Sequence, residues 1–322
     1  TQGDMESAGE QLEEILDINP DHPQAVMALG DLALSEKEID EAVRHYAHLL
    51  ELEPVSAPAY YKNGLIKRFT KDPDTARTFF ERALSANPDF VPALRQLVEI
   101  LAAEKGLPAA MDRCREQIAM RPENADYHLL LGSLQASAKD FDGARMNFNK
   151  ALEVAPDNGR ALFHLARLEQ AAGSIDRAIE RYQELRKADP HNAGIALVVA
   201  QLFEQQGEYR KAKTIYEELL EKHPKLWGAA NNLAFYYAEH EPTEENLKKA
   251  EALIAPWLAE HEDDPNFMDT VAWIEYRQGN FRTAKRLLLS VEAMAEDMPI
   301  FHYHLGMTCF RMGEREKARE YL

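Results

Sequence analysis

The chain has 322 residues, a formal net charge of −18 and a sequence pI of about 5.1. An acidic surface repels phosphate backbones and anionic lipid headgroups, so the composition argues against nucleic acid and against an anionic membrane surface as partners. The two cysteines, Cys114 and Cys309, do not fix the redox compartment.

Prolines divide the chain into units of constant length. They recur at an interval of 34 residues, at Pro20, Pro54, Pro88, Pro122, Pro156, Pro190 and Pro224. Proline lacks the N–H that a helix interior needs, so each one ends a helix, and an Asp, Glu or Asn that follows can cap the next helix. A fixed interval of this length predicts an array of helical repeats whose function lies on a surface.

Two columns of small residues keep the same interval. The first column reads Gly30, Gly64, Val98, Gly132, Ala166, Ala200, Ala234, Ala272 and Gly306. The second reads Ala8, Ala42, Ala76, Ala110, Ala144, Ala178, Ala212, Ala250, Ala284 and Ala318. Small side chains let helix backbones approach closely, both within a hairpin and between neighbouring hairpins. Large residues four positions after each alanine, such as Tyr46 and Phe80, are then expected in the core.

An insertion of four residues interrupts the second column between Ala212 and Ala250. It falls in 239–246, where Pro242 and Thr243 stand among acidic residues. This composition predicts a lengthened turn between two helices, after which the register resumes.

The order Gly/Ala, Gly, Ala, Tyr/Phe and Pro within 34 residues resembles the tetratricopeptide repeat. The resemblance covers essentially the whole chain and implies an all-α, right-handed superhelical solenoid of stacked antiparallel helix pairs. In the family's register, 1–322 forms a single solenoid with a partial repeat at each end, 1–22 and 299–322. The complete repeats are 23–56, 57–90, 91–124, 125–158, 159–192, 193–226, 227–264 and 265–298.

The last residues follow the core pattern, where a solenoid normally has a polar capping helix. We therefore expect the chain to be a segment of a longer protein. Segments such as Asn231–Ala234 and Asp269–Trp273 also resemble large bacterial repeat proteins associated with exopolysaccharide and protein-sorting systems of the cell envelope. The compartment stays open between the bacterial cytoplasm and the periplasm or cell envelope.

The sequence contains no common catalytic or phosphate-binding signature, and we expect neither an enzyme nor a cofactor. His302 and His304 are two residues apart on a predicted helix, so their side chains point about 200° apart and cannot chelate one metal. No metal site is therefore expected.

The resemblance also implies where a ligand would bind. In this family the second, fifth, sixth, ninth and twelfth positions of each first helix line the concave face. In the last three units these positions, with their neighbours, predict a partner-binding set of Asn231, Asn232, Phe235, Asp269, Thr270, Trp273, Tyr276, Tyr303, His304 and Met307. Asparagine amides can bond both the N–H and the C=O of an extended peptide, and aromatic rings supply contact area. Packing of Trp273 and Phe235 between helices is the alternative.

Three functional hypotheses follow. The favoured one is a non-enzymatic adaptor or scaffold whose concave groove holds a segment of a partner protein of unknown identity. The second is a self-assembly module, in which end or edge repeats stack to form a homo-oligomer. The third is a scaffolding arm of a larger enzyme or of an envelope secretion or polysaccharide machine. None of them requires nucleic acid or insertion of this segment into a membrane.

Overall fold

The structure is a computed structural model, and it describes residues 2–294 and 298–322, with side chains from residue 7 onward. Nineteen α-helices and one 3₁₀ helix account for the ordered secondary structure of these residues, which include no strand. The α-helices are α1 (Gln2–Ile18), α2 (Pro23–Ser35), α3 (Ile39–Leu52), α4 (Ala57–Phe69), α5 (Pro73–Ala86), α6 (Val91–Lys105), α7 (Leu107–Met120), α8 (Ala125–Ser137), α9 (Phe141–Val154), α10 (Gly159–Ala171), α11 (Ile175–Ala188), α12 (Ala193–Gln205), α13 (Tyr209–Lys222), α14 (Trp227–His240), α15 (Glu244–Ile254), α16 (Pro265–Arg277), α17 (Phe281–Met294), α18 (Pro299–Arg311) and α19 (Arg315–Tyr321). The predicted all-α class of paired, stacked helices is confirmed.

The helices form two compact units. Unit 1 is Thr1–Ala172 and unit 2 is Gly173–Leu322. In each unit a first helix packs against the second helix that follows it, as α4 does on α5 and α16 on α17, and each such pair contacts the next pair along the chain. The division of the sequence into one continuous solenoid with the repeat bounds given above stays a prediction.

The two columns of small residues lie where helices meet. A methyl group added to Gly64 would come within 2.5 Å of the Phe80 ring, and one added to Gly132 within 2.6 Å of the Phe148 ring. The glycine of a first helix therefore accommodates the aromatic residue of the second helix. Val98 breaks the glycine column, and the residue sixteen positions later is the smaller Cys114, buried in the same core cluster.

Six first helices, α2, α4, α8, α12, α16 and α18, end in a common turn that the sequence patterns did not predict. Before α3, the N–H of Glu38 donates to the carbonyl of Ala33 (2.8 Å) and the N–H of Lys37 donates to that of Leu34 (3.2 Å), with Lys37 at a φ of 66°. This is a Schellman motif, whose left-handed residue usually is glycine. Gly207, Gly279 and Gly313 occupy the same place in unit 2.

The insertion is accommodated differently from the prediction. The connection between α14 and α15 is only three residues long, 241–243, which is also the length of the connection between α12 and α13. The extra residues extend the end of α14 and the start of α15, where Thr243 Oγ1 accepts a hydrogen bond from the N–H of Asn246 (3.2 Å). The predicted lengthened turn is wrong, because proline and a capping threonine are as compatible with the start of a helix as with a loop.

Candidate functional site

A groove of about 540 Å³ crosses the first helices of unit 2. We call it the unit 2 groove. Its lining comes mainly from α12, α14, α16 and α18 and comprises Leu197, Gln201, Glu204, Tyr209, Trp227, Gly228, Asn231, Asn232, Phe235, His240, Asp264, Asn266, Asp269, Thr270, Ile300 and Phe301. Its volume lies in the range of about 300–1,000 Å³ that is usual for ligand sites.

The two predicted asparagines belong to a chain of polar contacts in this groove. Asn231 Nδ2 donates to Asn232 Oδ1 (3.3 Å), and Asn232 Nδ2 donates to the Tyr216 hydroxyl (3.2 Å). The Tyr216 hydroxyl in turn bonds the Glu204 carboxylate. Asn231 is 9% exposed, and its Oδ1 is the one buried side-chain N or O atom without a hydrogen-bond partner among the described residues.

Two of the predicted aromatic residues, Trp273 and Tyr276, are buried and do not line the groove. Trp273 is 2% exposed, and its ring stacks on Tyr276 (centroids 4.5 Å apart) and on His304 (3.9 Å). Its Nε1 donates to a carboxylate oxygen of Glu239 (2.7 Å). Trp273 and its two neighbours therefore position the helices, while the half-buried Phe235 is the predicted aromatic residue that lines the groove.

Asp269 and His304 form a buried pair. His304 Nδ1 lies 2.8 and 2.9 Å from the two carboxylate oxygens of Asp269. Burial raises the pKa of Asp269, and the contact with His304 opposes that effect. The pair joins α16 to α18. Within α16 the neighbouring Thr270 hydroxyl donates to the Asn266 carbonyl (3.1 Å).

Tyr303 and Met307 complete the predicted set. Tyr303 is 44% exposed and lines a separate depression with Pro299, His302, Tyr321 and Leu322. Met307 is half-buried on α18. The structure thus brings five predicted residues together in the unit 2 groove, namely Asn231, Asn232, Phe235, Asp269 and Thr270.

Sequence comparison now places this architecture in a family. One model described as a tetratricopeptide repeat matches residues 1–63, 70–134, 135–202 and 169–234, and a second model with the same description matches 272–322. The chain belongs to the tetratricopeptide repeat (TPR) family. The TPR fold is generally a scaffold for protein–protein interaction, and proteins built from it are generally non-enzymatic.

Solved TPR structures resemble the chain at low identity. Pseudomonas aeruginosa PilF is 20% identical, with 64% of this chain and 94% of that chain covered and a TM-score of 0.46. A TPR protein from Parabacteroides merdae is 18% identical, with coverages of 78% and 98% and a TM-score of 0.48. YrrB, described as a TPR protein with an unusual peptide-binding site, is 19% identical, with coverages of 57% and 95% and a TM-score of 0.37. No curated protein sequence matches the chain.

Several groove residues were missed by the sequence prediction. Leu197, Gln201 and Glu204 line the groove from α12. They stand at the fifth, ninth and twelfth positions of the predicted TPR unit 193–226, the same positions from which the later units contribute. The family's ligand positions therefore identify these residues, but the predicted partner-binding set included only the last three units.

The groove is acidic. Glu204, Asp264 and Asp269 contribute carboxyl groups, and the groove lining includes no lysine or arginine. Burial raises the pKa of Glu204, opposed by the hydrogen bond from Tyr216. Burial lowers the pKa of His240, so that its ring is neutral at neutral pH. The unit 2 groove therefore has no fixed positive charge of its own.

Unit 1 has a depression close to several arginines. Arg95, Arg160 and Arg167 surround His164, whose pKa is lowered by burial and by these three guanidinium groups. His164 and Arg167 line a depression with Phe141 and Phe148. This depression includes Arg167, whereas the lining of the unit 2 groove includes no lysine or arginine.

Other kinds of site are not found in the described part of the chain. It contains no group of three His, Cys, Asp or Glu side chains able to hold a metal ion. No helix in it is long and apolar enough to cross a membrane. Both cysteines are buried and unpaired, and burial raises the pKa of Cys114 to about 12, which keeps this thiol protonated.

Proposed function

We propose that the protein is a non-enzymatic adaptor whose unit 2 groove holds an extended segment of a partner protein. The observation that carries this proposal is the continuous lining of the groove by family ligand positions from α12, α14, α16 and α18. Its lining combines amide groups that can bond a peptide backbone with aromatic rings that can contact side chains, which suits an extended peptide.

Buried contacts between α16 and α18 support a preformed site. The Asp269–His304 pair and the Trp273 stack link neighbouring first helices, so their groove-facing side chains are held before a ligand arrives. Preorganisation reduces the entropy lost on binding. We rank three further proposals below the adaptor function. They are association with exopolysaccharide or protein-sorting systems, location in the cell envelope, and homo-oligomer formation.

Photocrosslinking from the groove tests the proposed function. A photoreactive phenylalanine analogue replaces Gln201, which is exposed in the groove, or Glu221, which is exposed on α13 outside it. We expect irradiation in the source cell to link one partner segment to position 201 and not to position 221. The mapped segment, made as a peptide, should bind the purified chain and lose affinity for the Phe235→Ala variant.

Equal crosslinking from both positions would contradict the proposal, as would a peptide whose affinity is unchanged by Phe235→Ala. Thermal unfolding of the variant is the control, because a folded variant separates lost contact area from lost structure.

A further inference from the structure

The unit 2 groove contains a polar atom that lacks a partner. Asn231 is nine-tenths buried, lines the groove and leaves its Oδ1 without a hydrogen bond in the described structure. A buried acceptor that loses water and gains no donor costs about 1–3 kcal/mol. Its Nδ2 is engaged with Asn232, so the amide is held in place while its acceptor is available for an incoming donor.

The same groove contains a carboxylate without a cationic partner. Glu204 bonds the Tyr216 hydroxyl, and its carboxylate forms no ion pair in the described part of the chain. The buried carboxylate of Glu169, in contrast, pairs with the Arg145 guanidinium (2.6 Å). A charge kept in a groove without a counterion favours a ligand that brings one.

The two features are parts of one hydrogen-bonded chain. Tyr216 links Glu204 to Asn232, and Asn232 links Tyr216 to Asn231. A ligand group bound to Glu204 and a ligand N–H bound to Asn231 would therefore contact the two ends of this one row of hydrogen-bonded side chains. Apolar groups beside this row, Phe235 and Leu197, can contact the methylene groups of a long basic side chain.

We propose that the unit 2 groove selects partner segments in which a lysine or arginine side chain pairs with Glu204 while an N–H group of the same segment donates to Asn231 Oδ1. This inference rests on the proposed function and specifies the chemistry of the partner. The partner is an extended, basic protein segment, because the groove offers carboxylates, amide acceptors and aromatic surface and no fixed positive charge.

A peptide selection tests it. A display library of random ten-residue peptides is selected against the intact chain, with the Phe235→Ala variant used to remove peptides that bind outside the groove. We expect the surviving peptides to carry Lys or Arg at one fixed position. Their affinity for the chain should fall with increasing salt, because the charge pair is screened.

A double-mutant cycle then assigns the contact. Replacing the lysine of a selected peptide with norleucine, or Glu204 with Gln, should each weaken binding on the order of tenfold or more. Together they should weaken it no further than either alone, since both remove the same pair.

Glu221→Gln removes one negative charge outside the groove and is the matched control. Asn231→Ala should weaken the basic and the norleucine peptides by the same factor, because it removes an acceptor for an N–H group.

The outcomes separate the inference from the function on which it rests. Groove-binding peptides that lack a basic position, or additive effects in the cycle, would overturn the inference and leave the groove as a peptide site. A selection in which no peptide depends on Phe235 would overturn the proposed function as well. Concentration-dependent self-association that Glu204→Gln abolishes would show that a second copy of the chain occupies the groove, contrary to the inference.

Discussion

Glu204 carries a charge that the folded protein only partly compensates. Its carboxylate accepts one hydrogen bond from Tyr216, while burial raises its pKa above the ordinary value for glutamate. A carboxyl group whose pKa is higher in the folded than in the unfolded chain reduces stability as pH rises, because the folded state then holds the proton more tightly. This penalty is fully present above the folded-state pKa and absent below the unfolded-state value.

Glu204→Gln should therefore increase stability at neutral pH. Glutamine keeps an acceptor for Tyr216 and has no charge to desolvate. We expect a higher Tm than the native chain at pH 7, with the pH-dependent part of the difference shrinking as pH falls and lost below the unfolded-state pKa of about 4.3. Thermal unfolding across this pH range measures it, and Glu221→Gln controls for the loss of one negative charge. A variant that is less stable at pH 7 would contradict the assigned environment.

Whether the Trp273 side chain faces a ligand depends on how the neighbouring helices pack against it. Its position in the repeat is one that contacts ligands in the TPR family, but its ring is buried between Tyr276 and His304. A repeat pattern specifies the direction of a side chain from its helix. Whether that side chain meets solvent or another ring depends on which residues the neighbouring helices place opposite it.

Helix pairs depend on complementary side-chain volumes. Gly30, Gly64 and Gly132 face Tyr46, Phe80 and Phe148, respectively, and Val98 shares a core cluster with Cys114. Close packing leaves no room for an extra methyl group where a ring already fills the space. The interval between the two columns could be read from the sequence. Only the packed helices showed that the larger Val98 is matched by the smaller Cys114.

Gly64→Ala should destabilise the α4–α5 pair. The added methyl group would lie 2.5 Å from a ring carbon of Phe80, which is fully buried, so the helices must separate. Overpacking of this kind costs about 1–3 kcal/mol, more than the helix propensity gained from alanine. Chemical denaturation measures the cost. Gly228→Ala is the matched control, because its methyl group would meet only Leu197, at 3.5 Å, and should be neutral or stabilising.

The insertion illustrates an element-scale feature that local sequence left ambiguous. Arg277 on α16 donates to the carbonyls of Ala238 (2.6 Å) and Glu239 (2.7 Å), which satisfies acceptors at the extended end of α14. Such acceptors lack partners within their own helix. A residue almost forty positions away therefore supports the longer helix, and no pattern within 239–246 contains that information.

At the scale of the whole molecule, contacts are dominated by neighbouring helices. Within each unit, first helices pack against the second helices that follow them and against the next pair, as α14 does with α15 and α16. In such an array stability is roughly a sum of local terms, and separate regions open with separate free energies.

Hydrogen exchange of the Gly64→Ala variant should show this locality. We expect faster amide exchange in α4, α5 and their neighbours, with α14, α16 and α18 protected as in the native chain. Peptide binding in the unit 2 groove should be unchanged. Uniform loss of protection throughout the chain would instead indicate one cooperative unit.

The sequence by itself determined the helical repeat, because helix ends, close helix contacts and core positions are local requirements that recur at a fixed interval. Its resemblance to the TPR family also predicted which positions of each first helix face a ligand, and this stays a prediction. Only the tertiary structure decided that Trp273 and His304 are buried. It alone showed that, among the residues it describes, Glu204 has no counterion and Asn231 Oδ1 has no hydrogen-bond partner. These properties arise from the side chains that neighbouring helices bring together, and burial and charge compensation are set by those neighbours rather than by position in the repeat.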